Sequence, residues 1–341
     1  MFRENISFYL VIGLFLSLIF NYITRKLYVA IGKYDIPTDI KTHSGMVPHS
    51  GGLAFLLSFV ITLFIIRFTT HFPTGTLREI RYILIGLFFI FFLGIIDDFK
   101  KPEGLKPSVK FLIEVLVALF MIINGFKINF IHPQYLSWIL SILWIVGITN
   151  AINIIDIMDG LAGSQIFIAS LAFFFITLPQ EELYVNIVAG VVSVSILGFL
   201  PYNFSSSKKV FLGDSGSLAC GFLLSVISLG ANYSDVNPLG VYAPVFILSV
   251  PIFDTIYVSY LRIRKGISPF KGTKDHYALR LEALGLSRKN IVIASSVFSI
   301  ITSVLSYLLT KVSLYPGLLL FAILIFVFYC IGKYLSKVEI A

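Results

Sequence analysis

The chain has 341 residues, of which 57% are hydrophobic and only 13% are charged, and its mean hydropathy is +0.92. This balance excludes an ordinary soluble domain and predicts an all-α integral membrane protein that crosses the bilayer many times. The formal net charge of +8 comes from loops between apolar runs and does not indicate a nucleic-acid partner. Cys220 and Cys330 both lie in apolar runs, so neither a disulfide framework nor a cysteine metal site is predicted.

Eleven apolar segments are candidate membrane spans. They fall approximately at residues 6–28, 51–67, 81–96, 109–125, 137–155, 161–178, 184–201, 212–229, 240–261, 290–310 and 314–335. The first is too long for a cleaved signal peptide, so we expect it to remain as an anchor. The eighth is the weakest candidate because it starts inside a polar motif. The sequence therefore predicts one membrane domain over residues 1–341 with about eleven transmembrane helices.

The distribution of lysine and arginine predicts the orientation. If the loop after the first span is cytoplasmic and the sides alternate, 20 of the 26 basic residues face the cytoplasm. The positive-inside rule then places the N-terminus outside and the C-terminus in the cytoplasm. We expect the cytoplasmic loops, at about 29–50, 97–108, 202–211 and 262–289, to form the active-site face.

Two adjacent acids, Asp97 and Asp98, end the third apolar segment. Neighbouring carboxylates repel each other unless a cation or a proton lies between them, so the pair is a candidate site for a divalent metal such as Mg²⁺. A solvated end of a membrane helix is the alternative that this pair alone leaves open.

A polar stretch closes the fifth segment. Asn150, Asn153, Asp156 and Asp159 follow one another in steps of three and would share a helical face. Carboxylates and amides at membrane depth are costly unless they face a protein interior or a water-filled cavity, so the stretch predicts a functional site. A buried hydrogen-bonded seam between helices is the alternative. Gly160, after Asp159, is predicted to separate this helix from the next.

The eighth segment opens with the motif FLGDSGS at residues 211–217. Its glycines let the backbone approach a ligand, and free N–H groups at a helix start favour a phosphate or another anion. Asp214 is therefore a candidate metal ligand, and Phe211 offers a face on which a base could stack. An aspartate that caps a membrane helix is the alternative.

The largest predicted cytoplasmic loop, residues 262–289, is rich in lysine and arginine. His276 and Arg280 are four positions apart and would share a helical face, an arrangement that suits a diphosphate. We expect this loop to act on a soluble donor, while Asp97 and Asp98 act on a membrane-borne phosphate. A solvated loop near anionic lipid head groups is the alternative.

These features suit phosphoryl transfer, in which carboxylates, a divalent metal and basic groups act on phosphates. The sequence contains no Walker loop, GxGxxG turn, zinc cluster or serine nucleophile elbow. An ion-coupled secondary transporter with an acidic cation site is the alternative. Against it stand the clustering of the acids at one predicted face and the lack of an internal repeat.

Taken together, the motifs resemble those of the polyprenyl-phosphate N-acetylhexosamine-1-phosphate transferases over the whole chain. They lie at residues 95–100, 150–163, 211–217, 251–255 and 268–281. The stretch from Lys33 to Gly52, with Lys41 and His43, also resembles this family's first cytoplasmic loop. The family contains phospho-N-acetylmuramoyl-pentapeptide transferases and undecaprenyl-phosphate N-acetylglucosaminyl 1-phosphate transferases. Eleven segments and a cytoplasmic C-terminus favour the second type.

The resemblance implies an enzyme that transfers a sugar-1-phosphate, expected to be N-acetylglucosamine-1-phosphate, from a UDP-sugar to undecaprenyl phosphate and releases UMP. This would be the first membrane step of cell-envelope glycan synthesis. The resemblance also implies Mg²⁺, with Mn²⁺ as a substitute, and an active site on the cytoplasmic face of the cell membrane. The sequence leaves open whether this lipid-embedded enzyme is a monomer or a homodimer.

The resemblance further implies roles for individual residues. The catalytic acids are Asp97, Asp98, Asp156 and Asp159, the metal ligands are Asp214 and Asp98, and the nucleotide-sugar is bound by Lys110, Asn153, Asn203, Phe211, His276 and Arg280. Asp97 is the candidate base. In two departures from the family pattern, Ile157 stands where a glycine is common, and Leu279 stands where a second histidine is common.

Overall fold

The computed structural model describes residues 2–35, 46–72, 75–101, 103–179, 183–231, 233 and 238–339, so Lys41 and His43 lie outside it. The described regular structure is helical apart from one backbone bridge between Asp35 and Val47. The α-helices are α1 (Phe2–Ala30), α2 (Gly51–Thr69), α3 (Thr76–Lys100), α4 (Pro107–Ile123), α5 (Gln134–Ile154), α6 (Leu161–Thr177), α7 (Leu183–Asn203), α8 (Gly213–Leu229), α9 (Ala243–Ile247), α10 (Ser249–Arg264), α11 (Tyr277–Ala283), α12 (Arg288–Leu309) and α13 (Leu314–Leu335). A 3₁₀ helix, Pro238–Tyr242, precedes α9.

Long apolar helices make up most of the molecule. Within the described residues, seven of them (α1, α2, α3, α5, α7, α12 and α13) are long and apolar enough to cross a membrane, judged by length and composition. The 3₁₀ helix with α9 forms, together with α10, a pair bent by 73° that passes the same test, and α6 and α8 are shorter apolar helices. Each of the eleven predicted segments coincides with a helix or with the bent pair. The prediction of an all-α membrane protein is confirmed.

Helix α8, the weakest span candidate in the sequence, lies at the centre of the bundle. Nearly all of its residues are buried, and it packs against α3 and α5. Small residues allow this packing: a Cβ on Gly221 would lie 2.7 Å from the carbonyl oxygen of Thr149, and one on Gly94 would clash with the backbone of Ser215. Close backbone approach at small residues is a common basis of packing between membrane helices. The polar start of α8 is therefore surrounded by protein.

The chain brings the predicted site motifs to one end of this bundle, which we call the site end. Helices α3, α5 and α7 finish at the site end, and α4, α6 and α8 begin there. Backbone hydrogen bonds tie the connecting loops together: Gly51 N donates to the Phe211 carbonyl over 3.0 Å, and Phe211 N donates to the Pro48 carbonyl over 3.0 Å. The acids predicted from separate segments are thereby neighbours in space.

Helix α13 is attached more loosely than the others. Only 11% of the most apolar 18-residue stretch of this helix is buried. Cavities of about 460 and 730 Å³ lie beside the helix. Its C-terminal end is held by Arg280, whose guanidinium donates to the carbonyl oxygens of Leu335, over 3.1 Å, and Val338. Helix α11 and the end of α13 are thus fastened to each other.

Candidate active site

Three aspartates and two lysines form one cluster at the site end. Lys101 Nζ lies 2.7 Å from Asp98 Oδ1 and 2.9 Å from Asp214 Oδ1. Lys110 Nζ lies 3.0 Å from Asp97 Oδ2 and 2.9 Å from Asp214 Oδ2. Burial alone would lower the pKa of Lys101, but the carboxylates of Asp214 and Asp98 raise it above its usual value. Asp214 is therefore the link between two charged lysines, of which Lys101 is not among the predicted site residues.

Asp98 also caps helix α8. Its Oδ1 accepts a hydrogen bond from Asp214 N over 3.0 Å, and its Oδ2 accepts one from Ser215 N over 2.9 Å. Gly213, with φ +72°, leaves room for this carboxylate, since a Cβ there would lie 2.7 Å from Asp98 Oδ2. The anion predicted at this helix start is therefore a side chain of the protein itself. The expectation that these N–H groups bind a phosphate is corrected accordingly.

The predicted polar face of the fifth segment is only half helical. Helix α5 ends at Ile154, so Asn150 and Asn153 lie on it, whereas Asp156 and Asp159 lie in the turn over residues 155–160. The prediction that all four share a helical face is wrong, because the chain leaves the helix before the two acids. Asn153 Oδ1 accepts from a serine hydroxyl of α8 over 2.8 Å, which joins the two helices.

Asn203 fixes this turn in place. Its Oδ1 accepts from Gly160 N over 2.6 Å, and its Nδ2 donates to the Val210 carbonyl over 2.9 Å. Gly160 has φ +80°, and a Cβ there would clash with the ring of Phe204. The turn and the segment that leads to α8 are thus joined through one amide. Asn203 borders the cavity described next, but its amide has these structural partners.

Apart from the cavities beside α13, two cavities adjoin the predicted site residues. The first cavity has a volume of about 240 Å³ and is lined mainly by polar residues. It is lined by Asp35, His49, Asn153, Asp156, Ile157, Met158, Asp159, Asn203, Phe211, Gly213, Asp214 and Arg288. Six predicted site residues meet in this cavity, including Phe211 as an aromatic face. Asp159 Oδ2 lies 2.5 Å from Lys209 Nζ at its rim. This wall combines a stacking surface, carboxylates and one arginine, which suits a nucleotide bound together with a cation.

Oxygen donors of the first cavity fit a hard divalent cation in their chemistry. The carboxylates of Asp156, Asp159 and Asp214 and the amide of Asn153 line the same space, and Mg²⁺ prefers such oxygens. Across the part of the chain that the structure describes, no three His, Cys, Asp or Glu side chains are grouped closely enough to hold a metal ion. Two lysine ammonium groups contact Asp214 instead, so a cation at this residue would replace one of these contacts.

The second cavity has a volume of about 500 Å³ and lies between α4, α5, α10 and the loop over residues 265–276. Its polar part includes Lys110, Asn153 and His276, and its apolar part includes Phe111 and Leu143. Phe111 is 47% exposed and Leu143 is 61% exposed, so the cavity opens on the side of the bundle that faces lipid. Asn153 lines both cavities, which therefore meet at this side chain.

His276 and Arg280 do not share a helical face. His276 precedes α11 and caps it with extended backbone, and its Nδ1 lies 2.8 Å from Asp254 Oδ2. Arg280 is 4% exposed, and its guanidinium also lies 2.8 Å from Asp275 Oδ1. His276 lines the second cavity, whereas Arg280 lines neither cavity. Of the predicted pair, His276 therefore lies on a cavity wall, whereas Arg280 holds α11 to the end of α13.

Sequence reasoning missed three residues that line the cavities. Glu114 follows Lys110 by one helical turn and lines the second cavity, so their spacing was an available signal. His49 Nε2 lies 3.1 Å from Asp35 Oδ1 at the first cavity, and its ring is 6.5 Å from that of Phe211. Arg288, which pairs with Glu282 over 2.8 Å, had no local signal beyond its charge.

Known proteins resemble the chain over this same region and beyond it. The model of glycosyl transferase family 4 matches residues 80–232. A probable undecaprenyl-phosphate N-acetylglucosaminyl 1-phosphate transferase of Bacillus subtilis is 34% identical over 92% of this chain and 88% of its own length. Phospho-N-acetylmuramoyl-pentapeptide-transferases of Streptococcus uberis and Streptococcus pneumoniae are 31% and 30% identical, over 74% and 72% of this chain and 81% and 78% of theirs. The chain therefore belongs to glycosyl transferase family 4.

Proposed function

We propose that the protein transfers N-acetylglucosamine-1-phosphate from its UDP derivative to undecaprenyl phosphate and releases UMP. The observation that carries this proposal is the meeting of two unlike cavities at Asn153, beside the cluster of Asp97, Asp98, Asp214, Lys101 and Lys110. One cavity is polar with an aromatic face, and the other opens towards lipid. The names of the relatives support a sugar-phosphate donor for the polar cavity and a polyprenyl phosphate acceptor for the cavity that opens towards lipid.

The UDP-sugar is assigned to the first cavity. The ring of Phe211 offers a surface on which uracil can stack, and Arg288 on the same wall supplies positive charge for phosphate oxygens. Asp156 and Asp159 face the same space from the turn that Asn203 fixes. In this assignment His276 serves the second cavity, so the donor is bound without it.

The acceptor lipid is assigned to the second cavity. Phe111 and Leu143 form part of an apolar path from the lipid-facing surface, along which a polyprenyl chain can lie. Lys110 at the polar part can attract the lipid phosphate, and its ammonium already touches Asp97. A phosphate at Lys110 would thus lie next to Asp97, which is placed to accept its proton.

The reaction is a single displacement at phosphorus. An oxygen of the lipid phosphate attacks the β-phosphorus of the UDP-sugar, the bond from that phosphorus to the bridging oxygen breaks, and UMP leaves with this oxygen. Asp97 takes up any proton carried by the attacking phosphate, and the lysines hold both phosphates at the junction. Mg²⁺, or Mn²⁺ in its place, held by Asp214 with Asp156, Asp159 or Asp98, would neutralise charge on the diphosphate.

The site end is assigned to the cytoplasm. We infer eleven crossings in one domain over residues 1–341, with the N-terminus outside and the C-terminus inside the cell membrane. The bias of 20 of 26 basic residues supports this orientation, as does the cluster of acids and lysines at one end of the bundle. A water-soluble nucleotide-sugar would then reach the first cavity from the cytosol.

Release of UMP by purified protein tests this proposal. With undecaprenyl phosphate and Mg²⁺, we expect UDP-N-acetylglucosamine to give faster UMP release than UDP-N-acetylgalactosamine or UDP-glucose, and chelation by EDTA to stop it. UMP release without a lipid requirement would overturn the assignment. The relatives described above are transferases and give no support to the transporter alternative, which would instead predict ion uptake by vesicles that contain the protein.

A further inference from the structure

Glu114 is a buried acid of α4 to which the reaction above gives no role. It is 2% exposed and lines the second cavity, one helical turn from Lys110 towards the middle of the bundle. Its Oε2 accepts a hydrogen bond from Asn150 Nδ2. Its Oε1 has no hydrogen-bond partner among the described residues. A buried carboxyl oxygen without a partner, beside a cavity, is a feature that a ligand can satisfy.

The cations that line this cavity are already engaged elsewhere. Lys110 contacts Asp97 and Asp214, and the Arg262 guanidinium donates to Thr273 Oγ1 over 3.0 Å and to the carbonyl of a loop proline. An ionised carboxylate at Glu114 would therefore be buried without an ion pair, which is costly. It would also repel an anionic lipid phosphate in the same cavity.

A neutral carboxyl group has neither disadvantage. It carries one O–H donor and one carbonyl oxygen, so Oε1–H can donate while Oε2 continues to accept from Asn150. A phosphate of an acceptor lipid offers strong acceptor oxygens and no competing positive charge. Glu114 and Lys110 line the same cavity as Phe111 and Leu143, so the phosphate of a lipid can lie against Glu114 while its hydrocarbon chain follows the apolar side chains.

We propose that Glu114 is a specificity-determining residue that donates a hydrogen bond as a neutral acid to the phosphate of the acceptor lipid. This inference rests on the assignment of the acceptor to the second cavity. It adds a donor that recognises the phosphate itself, so that a polyprenol, which lacks the phosphate, is bound less well. Asn150 positions the carboxyl group by occupying its other oxygen.

Two measurements on the purified full chain test this role: KM for undecaprenyl phosphate, and the rise in unfolding temperature caused by undecaprenyl phosphate or by undecaprenol. We expect Glu114→Ala to raise the acceptor KM about tenfold, the effect of one lost hydrogen bond to a charged group, while KM for the UDP-sugar changes less than about twofold. The extra stabilisation by the phosphate over the alcohol should shrink in parallel. Glu114→Gln should recover most of the loss, because its amide can donate to phosphate and accept from Asn150.

Gln165→Ala is the matched control, since Gln165 is a buried polar residue bonded to Ser299 outside both cavities. It should lower stability and leave the acceptor KM unchanged. If Glu114→Ala does not fold, Glu114→Met fills the space without a donor and should show the same loss. An acceptor KM unchanged in Glu114→Ala, or a glutamine variant as weak as alanine, would overturn the inference. Lipid binding by the unsubstituted protein without UMP release would instead overturn the proposed function alone.

Discussion

Asp214 is the residue on which the charge balance of the candidate site depends. Its two carboxylate oxygens contact the ammonium groups of Lys101 and Lys110, and these lysines in turn contact Asp98 and Asp97. Removal of its charge would leave two cations facing each other across a neutral side chain. It would also remove one oxygen ligand from the proposed cation site.

We expect Asp214→Asn to lower the rate of UMP release about 100-fold or more, because both losses act on the step in which charge moves between phosphates. The protein should still be extracted as a folded, monodisperse species. Glu79→Gln, an equally small change in an acid that pairs with Arg78 away from the cavities, is the control and should retain activity. Near-normal Mg²⁺-dependent activity in Asp214→Asn would contradict the central role of this carboxylate.

At this scale the sequence predicted acids that the fold brings to one end of the bundle, but not what those acids touch. The grouping of aspartates with glycines, serines and a phenylalanine was visible in the chain, and six of the predicted residues meet in one cavity. The contact of Asp98 with the start of α8 joins positions 116 residues apart, so no local pattern reveals it. Lys101 was one of several lysines in a basic loop until the fold placed it between two carboxylates.

Among the secondary-structure elements, the link between α11 and α13 is the one most open to experiment. Arg280 donates to two carbonyl oxygens at the end of α13 and pairs with Asp275. Burial alone would raise the pKa of Asp275, but hydrogen bonds from Lys265, Thr273 and Arg280 lower it. The carboxylate therefore stays ionised, and its contribution to the stability of the fold is present above the ordinary pKa of an aspartate. That contribution is lost only as the pH falls through the lowered pKa.

We expect Arg280→Ala to lower the unfolding temperature and to leave KM for the UDP-sugar nearly unchanged. The reason is that this arginine holds α11 to the end of α13 and lies outside the first cavity. A chain that stops at Leu335 removes the Val338 carbonyl and should lose part of the same stability. The two changes combined should cost less than their sum, because they break a shared contact. A strong, selective rise in the donor KM without loss of stability would restore the donor role that the sequence predicts.

Helices were predictable where a long apolar run forms them, but the residues at which they end were not. Each apolar run became a helix, including α8, whose serines and glycines made it look weak but fit a centre walled by protein. The end of α5 at Ile154 depends on Asn203, which holds the following turn from a distance of 43 residues in sequence. The short helix α11 begins only after His276 is fixed by Asp254, a contact across 22 positions.

For the whole molecule, reporter fusions test the orientation in the membrane. We expect a reporter fused after Ala341 to be active in the cytoplasm and one inserted near Pro179 to be active outside, as the distribution of basic residues requires. A matched fusion after Lys209, at the site end, serves as the cytoplasmic reference. An exterior signal at the C-terminus would mean that the number of crossings is even, so that one of α4, α6, α8 or the bent pair does not cross.

Composition was enough to predict the class of the whole molecule, since 57% hydrophobic residues leave few other possibilities. The two cavities could not be predicted, because each is formed by side chains from at least three helices or loops. The resemblance of the motifs to a known family supplied the reaction, and the fold supplied the separation of polar and apolar compartments at one end.

The shared wall at Asn153 has a consequence for kinetic order. In the proposed assignment each substrate has a cavity of its own, and both cavities are lined by Asn153, so neither substrate has to leave before the other arrives. No covalent sugar-phosphate adduct on the protein is then needed. Double-reciprocal plots of initial rate, with one substrate varied at several fixed concentrations of the other, should give intersecting lines. Parallel lines, together with exchange of labelled UMP into the donor without lipid, would indicate a ping-pong route through such an adduct instead.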